Sequence, residues 1–322
     1  MADAADIQRE LEDEHERRLK RFRILVCIDG SEESYRGLDY AARMGGADDC
    51  DIILLYVRTI DQGLHSGGMQ VRVARENMLS WGLELPGIRY LRKGLDLLIE
   101  NAELEEQWSS TVTHTDVEGD PLGDNKVEYR NTTGKSIVLK LKTAHDPASG
   151  ILDQYELGPY NLIILGADRK RGLFSRQIAQ RVARHAPCSV LAARELVPGR
   201  GHLVCTDGSD MALDAVRRDA LMAQRFQAPM VSLISIARDD GDLQAAEDAV
   251  ARAKDAVSDI GLEVLNTYAR IGDPVDEIIE AGKEYSLIVM SDTSKSSIKR
   301  MLVGSVSSKV LAKAHNSVLI IR

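Results

Sequence analysis

Residues 26–31 read VCIDGS, and residues 204–209 read VCTDGS. Chance recurrence of a mixed apolar and polar hexamer is rare, and an internal repeat constrains a fold more than any local propensity. If the hexamer opens a structural unit, the same order of elements has to follow each copy. "RILVCID" (23–29) is a short β-branched run ending at Asp-Gly, the pattern of a buried parallel strand. Ser31 is placed to cap a helix carrying Tyr35, Leu38 and Ala42 at helical spacing, and "DIILLYV" (51–57) is a second strand. After the second copy come a helix with Leu213, Val216 and Ala220 and the strand "MVSLISI" (230–236). The order is the same.

Each copy then carries a longer helix, lined by Leu91, Leu95 and Leu98 in one and by Val250, Ala253, Val257 and Ile260 in the other. The second copy continues with "LEVLNTYARIGDP" (262–274), a strand ending in a Gly-Asp-Pro turn, then a helix, "SLIVM" (286–290), a helix from about Gly304, and "SVLIIR" (317–322). The first closes similarly with "NLIILG" (161–166), a helix from about Ser175, and "SVLAAR" (189–194). Strands alternating with helices imply βαβ units and a mainly parallel sheet. Asp29 to Gly166 spans 137 positions and Asp207 to Ser291 spans 84, so the first copy holds about 53 extra residues. They fall near 61–86 and 110–135, the second reading as an added strand pair. "EGDP" (118–121) copies the Gly-Asp-Pro turn literally, but no helical pattern follows it, so 137–144 is the equivalent strand. Both inserts are too polar to extend a core and are expected to cap one end of the first copy or cover its cleft.

The predicted organisation is a charged arm (1–21), a first domain (22–194), a linker "ELVPGR" (195–200) punctuated by Pro and Gly, and a second domain (201–322). The arm pairs acids with bases at i,i+4 (Asp13 with Arg17, Glu14 with Arg18, Glu16 with Lys20), which suits a solvated helix. A net charge of −9 argues against a general nucleic-acid binder. No apolar run is long enough to span a bilayer, and residues 1–20 show no secretory pattern, so a cytoplasmic protein is expected. The four cysteines lack metal spacing and read as small buried hydrophobes, and seven scattered histidines suggest no metal site.

On the "VCIDGS" and "VCTDGS" openings, the Gly-Asp-Pro turn and the closing "GSVSSKVLAKAHNSVLIIR", the chain resembles the universal stress protein family, over nearly all of residues 22–322. The resemblance implies an α/β protein of two tandem Rossmann-like domains of the adenine nucleotide alpha hydrolase-like kind. Each would be a five-stranded parallel sheet with helices on both faces, binding ligands beyond the carboxyl ends of the strands. It also implies a regulatory or stress-response role. Many members hold ATP, with Mg, through a G-x-x-G, nine residues, G-S pattern, because glycines let backbone approach phosphate and a helix start offers free N–H groups.

Carried onto the second half, Asp207 is the strand-one acid, Ile236 and Met290 flank adenine, and Gly304, Ser305, Val306 and Ser307 form the phosphate-facing helix start. Ser291 and Ser294 replace the two leading glycines. In the first half Asp29, Val57 and Gly166 match, but Arg169 replaces the second glycine and Arg176-Gln177 the Gly-Ser pair, so ATP binding is not expected there. Each aspartate also reads simply as the first residue of an Asp-Gly turn. No catalytic residue is visible, and slow ATP hydrolysis is the most that the resemblance carries. The alternative is a nucleotide-free tandem scaffold acting through protein contacts. Residues 188–194 and 316–322 are expected side by side and antiparallel, pairing the two domains within one chain, with a further homo-oligomer left open. No nucleic-acid or membrane partner is expected.

Overall fold

The computed structural model describes residues 16–17, 19–46, 49–59, 86–100, 106–117, 120–156, 159–167, 173–226, 230–292 and 304–322. In chain order the elements are β1 (Phe22–Cys27), α1 (Glu32–Met44), β2 (Cys50–Thr59), α2 (Pro86–Leu98), β3 (Trp108–Val117), β4 (Asp120–Asn131), β5 (Ser136–Ala144), α3 (Pro147–Glu156), β6 (Leu162–Gly166), α4 (Leu173–His185) and β7 (Ser189–Ala193). There follow β8 (His202–Cys205), α5 (Asp210–Ala223), β9 (Val231–Ala237), α6 (Leu243–Ser258), β10 (Val264–Ile271), α7 (Pro274–Gly282), β11 (Leu287–Ser291), α8 (Ser305–Lys313) and β12 (Ser317–Ile321). The fold is α/β. By contact, the chain divides into one compact unit of 1–31 with 48–161 and another of 32–47 with 162–322. These units cut across the sequence repeat, because α1 packs on β6 and β7, and β7 in turn pairs with β12.

In the first unit the strand order is β1-β2-β5-β4-β3. β1, β2 and β5 are parallel, and β2 and β5 stay in register from Ile52 opposite Ile137 to Thr59 opposite Ala144. Residues 24–26 and 52–55 are buried without alternation, as strands covered on both faces must be. "EGDP" leads into a strand, and β5 holds the third-strand place. The 110–135 insert is an antiparallel hairpin, and its second strand pairs with β5 from Asn125 opposite Leu141 to Arg130 opposite Ser136. It therefore lengthens the sheet in its own plane instead of capping an end: main-chain donors along β5 find partners in β4. The 61–86 insert lies almost wholly outside the described residues. So do the arm's Asp13–Arg17 and Glu14–Arg18 pairs, whereas Lys20 lies 3.8 Å from Glu16. Arg21 does not stay in solvent but meets buried Asp51 at 2.7 Å, with Arg17 3.9 Å from the same carboxylate.

In the second unit the order is β10-β9-β8-β11-β12-β7-β6. The first five strands are parallel, and the chain's path through them is third, second, first, fourth, fifth. β12 meets β7 antiparallel, with Val318 opposite Ala192, Leu319 opposite Leu191 and Ile320 opposite Val190. Asp273 caps α7 by accepting from the amides of Val275 and Asp276, with Pro274 in the first turn where its missing N–H costs nothing. Asp146, also followed by Pro, does the same for α3 from the Ser149 amide at 3.1 Å, so the cap survives without the preceding glycine. Three of the four cysteines are buried, all four are free, and burial pushes the Cys188 thiol up to about 12 against the pull of Arg322.

Candidate functional site

In the second unit the chain leaves β8 for β9 on one side and returns across it to β11 on the other. The strand order therefore reverses between β8 and β11, the switch point beyond whose carboxyl ends open α/β sheets bind ligands. Asp207 lies two residues beyond β8, Ile236 near the end of β9, and Met290 and Ser291 at the end of β11. The repeat thus brings these four to the carboxyl ends of three adjacent strands. Asp207 is exposed and its carboxylate accepts from the Ser209 amide at 3.0 Å, closing the Asp-Gly turn. Asp29 does the same for Ser31 at 2.9 Å, so the turn-forming part of the sequence reading holds in both copies.

Met290 and Ser291 are buried, whereas Ile236 is half-exposed. Gly304 is the N-cap of α8 with extended backbone (φ −56°, ψ 156°), and among the described residues no side chain caps the helix. Ser305 is exposed and Val306 half-exposed, so the first turn faces outward through them. Ser307 is buried and donates its hydroxyl to the Ser291 carbonyl at 3.1 Å, which brings this turn onto the end of β11. Its hydroxyl is thereby committed to the backbone. Ser294 lies outside the described residues.

Sequence reasoning missed two groups here. Gly208 has φ +74°, and a Cβ on it would stand 2.4 Å from the Arg252 guanidinium and 2.9 Å from Ala249, so a cation from α6 arches over the turn. On the sequence Arg252 is one more charge on a solvated helix face. The second is Asp292, buried just past Ser291 and held by Arg322 at 2.8 Å. Among the described residues no cluster of His, Cys, Asp or Glu is fit to hold a metal ion, and no helix is long and apolar enough to cross a membrane.

The first copy is built differently at the same end. Gly166 ends β6 as Ser291 ends β11, and the next residue makes the same bond in both, Ala167 to the Ala193 carbonyl and Asp292 to that of Ile321. Arg176 and Gln177, however, lie inside α4, which begins at Leu173, so they are not at a helix start. Gly30 (φ +82°) lies under the Tyr90 ring, 2.6 Å from where a Cβ would be, so an aromatic side chain covers the first Asp-Gly turn.

The pattern of the Universal stress protein family matches residues 20–80 and 202–322, more than half of the chain. A universal stress protein of Bacillus subtilis is 30% identical over 145 residues, covering 37% of this chain and 97% of its own length. One from Methanocaldococcus jannaschii is 28% identical over 137 residues, covering 37% of this chain and 80% of its own. Over both repeats, the crystal structure of a putative universal stress protein from Pseudomonas aeruginosa UCBPP-PA14 superposes with a TM-score of 0.57 at 13% identity, covering 95% of this chain and 94% of that one. That likeness bears on the fold, and the matched segments carry the family: the chain belongs to the universal stress protein family.

Proposed function

We propose that this chain is a cytoplasmic stress-response regulator that binds one ATP in its second repeat. The observation that carries the reading is the uncapped, glycine-led start of α8, held against the end of β11 at the switch point of a five-stranded parallel sheet. Free amides at such a helix start favour an anion, and Arg252 adds positive charge over the neighbouring Asp-Gly turn. Asp207, freed from its turn, would meet the ribose; Ile236 and Met290 would flank the base; Gly304, Ser305 and Val306 would face phosphate, with Mg entering on the nucleotide. The two repeats, 22–194 and 201–322 joined by 195–200, act as one pair through β7 and β12, and further self-association is left to the outer surfaces. Ser291 stands where a glycine would give the backbone more freedom, at a cost of roughly 1–3 kcal/mol, about five- to a hundred-fold in affinity. Calorimetry tests this: replacing Ser291 and Ser294 together by Gly strengthens ATP binding, and Asp207→Ala weakens ATP and adenosine alike. Unchanged affinities in both variants would overturn the assignment.

One observation favours a second reading, a nucleotide-free scaffold. The Asp207 carboxylate and the Ser307 hydroxyl already have partners inside the chain. Purified protein that takes up no ATP at millimolar concentration, even with both glycines restored, would establish that reading.

A further inference from the structure

At the amino ends of the same strands, opposite the proposed nucleotide site, lies a cavity of about 440 Å³, within the range that small ligands fill. Tyr40, Phe226 and Met230 form its walls, and Leu196, Val197 and Pro198 of the segment between the repeats line the other side. A buried polar relay ends at its wall, where Tyr40 and His202 line it. His202 Nδ1 lies 3.0 Å from the Asp219 carboxylate, and His202 Nε2 lies 3.2 Å from the Tyr40 hydroxyl. Asp219 is 0% exposed, Tyr40 5% and His202 6%.

A carboxylate only accepts, so Nδ1 carries a proton toward Asp219; in that tautomer Nε2 is the acceptor, and Tyr40 donates its hydroxyl hydrogen to it. Burial first, and the Asp219 charge second, hold the Tyr40 phenol well above its ordinary value, so it keeps that hydrogen. With its donor spent, the oxygen presents only acceptor capacity. The rings around it are tilted for edge and face contact, Tyr40 to Phe226 at 4.9 Å and 52°, and His202 to Phe226 at 6.0 Å and 84°. A core built only for packing would close such a space and need no relay at its wall.

We infer that this cavity binds a small aromatic molecule carrying one hydrogen-bond donor, of the phenol or indole class, with Tyr40 accepting from the donor. The site is independent of the nucleotide reading. The test is titration of the full chain with indole, and separately with toluene as the donor-free shape, followed by backbone amide shifts. Indole should move Leu196, Gly201 and Phe226 and leave Gly208 and Ser305 in place, binding about five-fold more tightly than toluene, as one neutral hydrogen bond allows. Tyr40→Phe should bring the two probes to equal affinity. Ala42→Phe, at a half-exposed lining position, should abolish both by filling the space. If Ala42→Phe does not fold, the Tyr40→Phe comparison decides alone. Amides near the cavity that stay still to about 5 mM of either probe, or equal binding of the two by the wild-type chain, would overturn the proposal.

Discussion

Gly208 shows how much one residue can carry in this chain. Its φ of +74° lies where side chains are strained, and Ala249 and the Arg252 guanidinium crowd the space a Cβ would take. Gly208→Ala is expected to cost about 1–2 kcal/mol in urea unfolding, and more than Gly199→Ala, which bears the strain of its positive φ but meets open space. Half of this was legible. Asp-Gly after an apolar run announces a turn, and both aspartates make it. The proposed ligand role of Asp207 rests on the family likeness, since the structure shows its carboxylate in the turn. Arg252 was not legible at all, because a charge on an amphipathic helix looks the same whether it faces water or a neighbouring turn. Asp219 was hidden for the same reason: a carboxylate within α5 reads as solvated until His202 is seen beside it.

At the scale of elements, the sequence spoke clearly wherever hydrophobic period and caps agreed. The β8 to β12 succession and its helices follow the pattern of apolar runs and Asp-Pro caps. The hairpin of β3 and β4 was legible as a strand pair, but its place was not, since a polar strand can cap an end or extend an edge. β4 settles on β5 with help from Glu128, whose carboxylate meets Lys126 at 2.5 Å and Arg130 at 2.7 Å. Burial pushes that carboxyl up, but the bonds and charges of Lys126 and Arg130 outweigh it and bring it from 4.5 to about 2. A depressed pKa in the folded state gives stability that is full above 4.5 and lost as pH falls toward 2. Glu128→Gln should therefore flatten the acid limb in that window and leave the pH dependence above 6 unchanged (~6 being beyond the carboxylate range), as read by thermal unfolding across pH. Deleting 110–135 behind a short Gly-Ser bridge should keep cooperative unfolding yet expose the unpaired edge of β5, so light scattering should detect self-association.

At the scale of the whole molecule, the duplication leaves a pseudo-symmetric seam along β7 and β12. The Arg194 amide donates to Ser317 Oγ at 2.8 Å, and the Arg322 amide to Ser189 Oγ at 3.3 Å. The Arg194 guanidinium reaches the carbonyls of Leu311 in the last turn of α8 and of Asn316 just past it, and that of Arg322 reaches those of Ala183 and Ala186 at the end of α4. Cations at helix carboxyl ends suit the dipole. The symmetry breaks at Asp292, whose buried carboxylate meets Arg322. Arg322→Ala leaves a buried carboxylate without its partner and should cost about 3–5 kcal/mol, whereas Arg194→Ala loses bonds to neutral carbonyls and should cost about 1–3 kcal/mol. Denaturant unfolding of the two variants checks the order. The same broken symmetry runs through the candidate site: Gly304 starts a helix without a side-chain cap, while Arg176 and Gln177 lie inside one and Tyr90 covers Gly30. The direct measurement is therefore stoichiometry, by equilibrium dialysis of labelled ATP against the full chain and its Gly304→Val variant. The account predicts one ATP per chain and none for the variant; two per chain, or one that persists in Gly304→Val, would contradict it.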